Sequence, residues 1–355
     1  MLLLALLLAL ISLSSFPAQA ANTYYISPLG RDSSCLAARS PSTPAGPKLK
    51  FVLGCMATSD ILIGREGVYD EPLHKVGLNG FFPNGTPFAS TIFKAFPGEN
   101  VWLRTTVNDP WGAIFEMDNG ASYITFDGIK FDGWVDVAAR GFSHEYVPIK
   151  LGSGSHHIKI TNFEVKNLPD GWFSSNTGND NEVSNFKMYD YFPASSYLSG
   201  GSACGQITCW GYPFYWNGQR NKILNGELSN IPSYGVHLYC SGLAFCKYPT
   251  ETLVQGLKIT NYGFRDLNRG AGILVYQGNL NKVFTNYVWG GAPWVTPIVI
   301  GDAATNTVLK DNVFGPPPVI TPPPPVKPPT GATVAVDIKT TGAPTVTVTV
   351  DGVKR

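Results

Sequence analysis

A short pattern of two strands joined by a polar corner recurs along the sequence and constrains the fold more than any other feature. It is clearest in Tyr123–Phe131 and His157–Val165, where β-branched and aromatic residues alternate on both sides of Gly128 and Asn162. Further copies follow at 182–188, 222–228, 253–259, 283–288 and 308–314. Gly, Asn and Asp tolerate positive φ at low cost, so the pattern predicts one sharp bend in each copy.

The spacing of these copies predicts how the chain is organised. The corner residues are Gly128, Asn162, Asn185, Asn225, Gly256, Asn286 and Asp311, and they lie 34, 23, 40, 31, 30 and 25 residues apart. A third strand is predicted after each copy, at 147–151, 171–176, 213–217, 235–239, 272–276 and 297–301. Three short strands in each repeat predict a parallel β-helix, in which successive coils pair at about 4.8 Å.

The opening segments add a resemblance to this pattern. Tyr24–Asp32 and Asp60–Tyr69, followed by 91–102 and 122–133, resemble the first coils of secreted right-handed parallel β-helix proteins of the pectate-lyase-like superfamily. The resemblance implies an all-β, right-handed parallel β-helix over 21–315, with about eight to ten coils of three short strands each. It also implies an N-terminal cap, for which 48–56 is the predicted short helix.

The two ends of the chain differ from this domain. Residues 1–20 are predicted to be a signal peptide, because an apolar run leads to the small-x-small motif Ala18-Gln19-Ala20. That run is too short to anchor the chain in a membrane, and no later segment is predicted to span one. Residues 316–330 form a predicted Pro-rich linker, and 331–355 form a short β-rich tail.

Cysteine content and charge indicate the compartment and exclude some partners. Six cysteines are typical of an oxidising compartment, so the predicted location is secreted, periplasmic or cell-surface. Fifteen connectivities exist for six cysteines, and proximity favours the pairs Cys35–Cys55, Cys204–Cys209 and Cys240–Cys246. Only 14% of residues are charged and the net charge is +1, which argues against nucleic acid as a partner. The predicted partner is a polysaccharide or surface glycan; the sequence leaves the oligomeric state open.

Alternation along the third strands predicts which side chains face outward. Inward positions fill the core, so function is expected on the outer face and on the loops beside it. The residues predicted to bind substrate there are Phe173, Tyr215, Asn217 and Tyr276. Exposed aromatic rings stack against sugars, although a register slip of one residue would exchange the two faces.

The same stripe holds the candidates for catalysis. The resemblance implies a polysaccharide lyase, in which a base removes the C5 proton of a uronate whose carboxylate is neutralised. His237 or Lys150 is the predicted base, Tyr239 the proton donor (with Tyr215 as the alternative) and Arg269 the neutralising group. Structural alternatives stay open for each: a histidine hydrogen-bonded to a neighbouring coil, a solvated lysine, and an arginine paired with aspartate at a turn.

Metal ions are a secondary expectation. No cofactor is required, and Ca²⁺ is the one metal kept as an alternative, with Asp170 and Asp190 as its predicted ligands. The adjacent pair His156 and His157 is not predicted to share a ligand, because neighbouring residues of a strand point to opposite sides.

The sequence therefore predicts an exported, carbohydrate-active β-helix that most favours cleavage of a uronate-containing polysaccharide by β-elimination. A glycoside hydrolase is less favoured, because no two outward carboxylates oppose each other on adjacent third strands. Whether the protein is an enzyme stays open: the alternative is a non-catalytic glycan-binding, adhesion or structural β-helix.

Overall fold

The computed structural model describes residues 21–71, 74–76, 82–105, 113–117, 120–132, 147–166, 173–175, 178–189, 212–240, 246–264, 270–316, 335–339, 345–350 and 353–354. The chain divides into two compact units, Met1–Pro316 and Pro317–Arg355. Among the described residues, no helix has the length and apolar character needed to cross a membrane.

Short strands make up most of the first unit. In chain order they are β1 (Thr23–Ile26), β2 (Ile61–Gly64), β3 (Gly67–Glu71), β4 (His74–Val76), β5 (Thr91–Ala95), β6 (Val101–Thr105), β7 (Ala113–Met117), β8 (Ser122–Asp127), β9 (Ile129–Asp132), β10 (Val147–Leu151), β11 (His156–Lys166), β12 (Phe173–Ser175), β13 (Glu182–Tyr189), β14 (Phe214–Trp216), β15 (Lys222–Ile231), β16 (Tyr234–Leu238), β17 (Leu253–Gln255), β18 (Lys258–Tyr262), β19 (Ala271–Asn279), β20 (Lys282–Phe284), β21 (Tyr287–Trp289), β22 (Thr296–Thr305) and β23 (Val308–Lys310). A 3₁₀ turn (Ala37–Arg39) and one short helix, α1 (Leu49–Leu53), lie between β1 and β2.

These strands pair in parallel with their equivalents in neighbouring coils and form three sheets that run along the stack of coils. The first sheet runs β1-β2-β5-β8-β11-β13-β15-β17-β20-β23, and the third runs β4-β7-β10-β12-β14-β16-β19-β22. The second sheet contains β3, β6 and β9, continues through the later halves of β11, β13 and β15, and ends with β18 and β21. Each strand thus pairs with its equivalent one coil away, which confirms the predicted right-handed parallel β-helix. Ten strands in the first sheet fit the predicted number of coils.

The corner between the first and second sheets has the predicted backbone geometry at six of its seven positions. Positive φ occurs at Gly128, Asn162, Asn185, Asn225, Gly256 and Asp311. The prediction for Asn286 is wrong, because the left-handed residue is Thr285, with φ 53°. Asn286 instead lies fully buried, and its Oδ1 accepts the backbone N–H of Leu257 at 2.9 Å.

A second corner, where the chain passes from the third sheet to the first, was not predicted. In the seven coils from β8 to β23 its left-handed residues are Tyr123, His157, Asp180, Arg220, Glu251, Leu280 and Asn306, one for each of these coils. The register of β11 with β8 places His157 over Tyr123, as the repeat predicted. With φ 56°, however, His157 breaks the strand alternation, so the expectation that His156 and His157 point apart is wrong: their Nδ1 atoms lie 2.9 Å apart.

The two ends of the coil stack differ. At the first coil, α1 buries Leu49, Val52 and Leu53, and the predicted Cys35–Cys55 disulfide ties the helix to the loop after β1. At the last coil, no other described element of the first unit pairs with the far side of β22 and β23. Exposed apolar residues gather there, namely Leu280, Trp294, Ile300, Val308, Leu309, Val313 and Phe314.

The predicted Cys240–Cys246 disulfide is also present, whereas Cys204 and Cys209 lie outside the described residues.

The second unit contains one small antiparallel sheet. Its strands are β24 (Ala335–Lys339), β25 (Thr345–Val350) and β26 (Val353–Lys354), in that spatial order. All three strands lie within the β-rich tail predicted for 331–355.

Gly226 gives a direct test of coil packing. It pairs with Phe186, whose ring stacks on Phe163 at 5.3 Å and contacts Phe214 at 5.2 Å, so an added Cβ would overlap a ring that cannot move away. We expect Gly226→Ala to lower the free energy of unfolding by about 1–3 kcal/mol. Gly315→Ala, where an added Cβ meets no atom within 4 Å, is the control, with an expected change within about 0.5 kcal/mol. Equal denaturation midpoints for the two variants would contradict this packing.

Candidate functional site

The outer faces of the first two sheets carry charges that neutralise one another from coil to coil. On the second sheet one row of outward positions reads Lys130, Glu164, Lys187, Glu227 and Lys258. The Nζ–Oε distances are 2.7 Å for Lys130–Glu164 and 3.0 Å for Lys258–Glu227. On the first sheet Glu182 lies between Lys159 and Lys222, at 3.1 and 3.8 Å. Each pair adds little stability, and the two rows together hold five lysines and three glutamates, so a small positive charge remains.

The third sheet is different, because its outward row changes from charged to aromatic along the stack. The row contains Glu116, Lys150, Ser174, Tyr215, His237, Leu274 and Val299, one residue from each coil. Near its start, Lys150 Nζ donates a hydrogen bond to Glu116 Oε1 at 2.9 Å. From Tyr215 onward the row has no acidic or basic group other than His237.

His237 lies at the centre of an aromatic cluster and is only 6% exposed. Tyr234 and Tyr239 lie nearly parallel to the imidazole, each with its centroid 4.9 Å away and with interplanar angles of 29° and 18°. Tyr212 and Tyr215 approach edge-on at 5.0 and 5.4 Å. Ring packing of this kind fixes the orientation of every member of the cluster.

Three of the tyrosines extend the cluster across successive coils. Tyr215 contacts Tyr239 with centroids 5.6 Å apart, and Tyr239 contacts Tyr276 at 5.3 Å. Tyr215 and Tyr239 are half-buried, and Tyr276 is 47% exposed. We call Tyr215, Tyr239 and Tyr276 the tyrosine row. It presents aromatic surface along the axis of the coil stack.

Burial decides the charge of the histidine inside this cluster. Desolvation lowers the pKa of His237 from 6.5 to about 3, because burial penalises the imidazolium and no carboxylate of the described residues offsets that cost. Its Nδ1 is buried and has no hydrogen-bond partner among the described residues. The ring is therefore neutral at physiological pH.

Comparison with solved structures identifies the architecture. A crystal structure of an alginate lyase from Paenibacillus sp. str. FPU-7 superposes with a TM-score of 0.50 at 12% identity, covering 75% of this chain and 93% of that one. The chain shares the parallel β-helix fold described above with this solved structure. At this identity the likeness shows the fold alone. No protein-family model and no curated protein matches the sequence.

Two other solved structures are more distant relatives of this β-helix. A rhamnogalacturonan lyase has a TM-score of 0.47 at 14% identity, and the alignment covers 83% of this chain but only 63% of that one. A pectate lyase has a TM-score of 0.39 at 13% identity, with 85% and 83% covered.

The β-helix brings together some of the predicted catalytic residues and separates others. His237 and Tyr239 stack on each other. Lys150 lies three coils from His237 along the same row, roughly 14 Å at the usual strand spacing, so it does not belong to this cluster. Arg269, Asp170 and Asp190 lie outside the described residues, and within the described part no three His, Cys, Asp or Glu side chains form a metal-binding group.

Two of the predicted substrate-binding residues occupy other positions than expected. Phe173 pairs in register with Ile149 and Phe214, which are both buried, whereas Ser174 aligns with Lys150 and Tyr215. This is the one-residue slip that alternation alone could not settle. Asn217 is only 1% exposed, and its Nδ2 donates to Cys246 Sγ at 3.6 Å beneath the segment that begins at Cys246. Its predicted place on the open surface is therefore wrong.

Two members of the cluster, Tyr212 and Tyr234, were missed. Each lies directly beside a predicted third strand, next to Pro213 and Gly235. The signal that could have found them is the repeated placement of tyrosine at the entry to these strands. Alternation assigns inward and outward directions only within a predicted strand, so it says nothing about the residue before it.

The buried imidazole predicts an acid-sensitive contribution to stability. An unfolded chain binds a proton at His237 below its ordinary pKa of 6.5, whereas the folded chain resists protonation until about pH 3. Stability from this group is complete above the unfolded pKa and is lost as the pH falls, by up to about 1.4 kcal/mol per pH unit. We expect His237→Phe to flatten this decline in denaturant unfolding from about pH 7 to about pH 4.

Leu274→Met serves as the control for this comparison, because Leu274 is the next residue of the same row and does not ionise. The control should keep the slope of the parent protein. A parent and a His237→Phe variant with parallel pH profiles would show that His237 is not held neutral by burial.

Proposed function

We propose that this β-helix binds an extended polysaccharide along the tyrosine row. The observation that carries the proposal is the contact series Tyr215–Tyr239–Tyr276, which spans three successive coils of the third sheet. Sugar rings pack their apolar faces on aromatic side chains while tyrosine hydroxyl groups hydrogen-bond to sugar hydroxyls. A linear row of rings suits a linear chain better than a compact ligand.

The fold and the disulfides support this proposal without deciding it. The solved structure with the same architecture is named as an alginate lyase, a protein that acts on a polysaccharide. Two disulfides, Cys35–Cys55 and Cys240–Cys246, suit an oxidising compartment, so export to the periplasm, cell surface or medium is part of the proposal.

Replacing Tyr239 tests the binding site. Tyr239→Ala removes the central ring of the row, so we expect at least about tenfold weaker binding, equivalent to about 1.4 kcal/mol. Tyr239→Phe keeps the ring and should bind within about threefold of the parent. Binding is measured by affinity electrophoresis and calorimetry with alginate, pectate and glycosaminoglycans.

The control for this experiment is Tyr25→Ala, at a half-buried tyrosine in the first sheet, far from the tyrosine row in the stacking order. It should leave binding unchanged. Equal loss in the Tyr25 and Tyr239 variants, or no binding to any of these polymers, would reject the tyrosine row as the site.

Cleavage by β-elimination is a second candidate function, favoured by the stacking of His237 on Tyr239, which puts a nitrogen base beside a phenolic proton donor. In this reaction a base takes the C5 proton of a uronate, the C4–O bond breaks, a C4=C5 double bond forms, and the departing oxygen gains a proton. His237 would be the base and Tyr239 the proton donor. A histidine that is 6% exposed offers only an edge to the substrate, so Tyr239 makes the larger contact.

Tyr239→Phe separates cleavage from binding. It should retain the polysaccharide but lose the ultraviolet absorbance that unsaturated uronate products develop, since the phenyl ring cannot donate a proton. Turnover by Tyr239→Phe at the parent rate would refute this role. Binding by the parent protein without any such product on all three polymers would instead identify a non-catalytic glycan-binding β-helix.

A further inference from the structure

The corner between the third and first sheets brings two histidine rings together outside the tyrosine row. His157 has φ 56°, which turns its side chain back towards His156. The two Nδ1 atoms lie 2.9 Å apart, and the rings are nearly perpendicular, at 87°. The pair is at the surface, where small solutes have access.

The coil below holds these rings in place. Tyr123 occupies the same corner position as His157 and stacks on it, with centroids 4.8 Å apart and an angle of 24°. The same tyrosine ring meets His156 edge-on at 5.4 Å. Because Tyr123 contacts both imidazoles, the converging nitrogens are preorganised and do not depend on a chance rotamer.

We propose that His156 and His157 chelate a borderline divalent cation, Cu²⁺ or Ni²⁺, through their Nδ1 atoms. Imidazole nitrogens bind such metals at about 2.0–2.1 Å. Two bonds of that length at a right angle place the nitrogens about 2.9 Å apart, whereas a tetrahedral angle requires about 3.3 Å. The observed separation therefore matches two adjacent positions of a square-planar or tetragonal site.

The metal takes the place of a proton. In the metal-free pair one ring donates its Nδ1–H to the Nδ1 of the other, so a single proton satisfies both atoms. Binding releases this proton to solvent and leaves both nitrogens as ligands.

Nearby charge favours a cation, although it adds no ligand. The Asp180 carboxylate, one coil further on, interacts electrostatically with both histidines. Its two oxygens already accept hydrogen bonds from Arg220, at 2.7 and 2.8 Å. No third ligating side chain joins the pair among the described residues. Water fills the remaining positions, so the bound metal exchanges freely and binds more weakly than in a closed four-ligand site.

Titration of the full chain with Cu²⁺, Ni²⁺ and Zn²⁺ tests the site. We expect one equivalent of Cu²⁺ whose electron paramagnetic resonance spectrum shows two nitrogen ligands, and Ni²⁺ bound at least as tightly as Zn²⁺ in calorimetry. His157→Asn is the sharpest variant, because Asn tolerates positive φ and so preserves the corner. It and His156→Gln should each weaken binding by at least about tenfold, the loss of a chelate partner.

Lys159→Ala is the control, since Lys159 lies two residues from His157, has an exposed side chain and is not one of the two proposed ligands. It should bind as the parent does. Parent-like Cu²⁺ binding by His157→Asn would overturn the site. Tighter binding of Zn²⁺ than of Ni²⁺ would overturn the right-angled geometry.

Discussion

At the corners, where no strand pairing links one coil to the next, buried asparagine side chains hydrogen-bond to the backbone of the neighbouring coil. At the corners Asn181, Asn221, Asn281 and Asn286 are each at most 1% exposed, and each Oδ1 accepts a backbone N–H from the coil before it, at 2.9 to 3.0 Å. A buried N–H without a partner costs about 1–3 kcal/mol, so the corners could not be buried without these amides. They also fix the register. The alignment of Tyr215 over His237 depends on that register, because a slip of one residue would turn the whole face inward.

The third sheet illustrates how a repeat can carry a site that does not itself repeat. Every coil supplies one outward position in the same row, and the backbone around it is nearly constant. The chemistry changes only with the side chain, from the Glu116–Lys150 ion pair to the cluster around His237. Because the cluster excludes water from the imidazole, the histidine stays neutral and packs as an aromatic ring. The first two sheets use the same outward positions for paired charges, which tie neighbouring coils together.

Much of the fold could be predicted because each corner leaves a local signal. Gly128, Asn162 and Asn225 tolerate positive φ, and the alternating residues beside them reveal the strands. Thr285 broke the rule because neither Gly nor Asn occupies its left-handed position, and sequence favoured the neighbouring Asn286. The site was harder to predict. His237 and Tyr239 could be placed together from strand alternation, but the burial of His237 depends on Tyr212 and Tyr234, which lie just before the strands that the sequence predicted. Asn217 was misplaced for the same reason: a distant segment covers it.

The unlike ends of the coil stack limit how such molecules can associate. Parallel coils can in principle grow without limit, because each new strand meets an edge that matches its own. Here α1 closes the first coil, with Leu49 and Val52 buried against it, while β22 and β23 keep an edge whose partners lie on one side only. A fibre needs a joining surface at both ends of every unit. Because α1 occupies the end face at the first coil, that face is not available for adding a further coil.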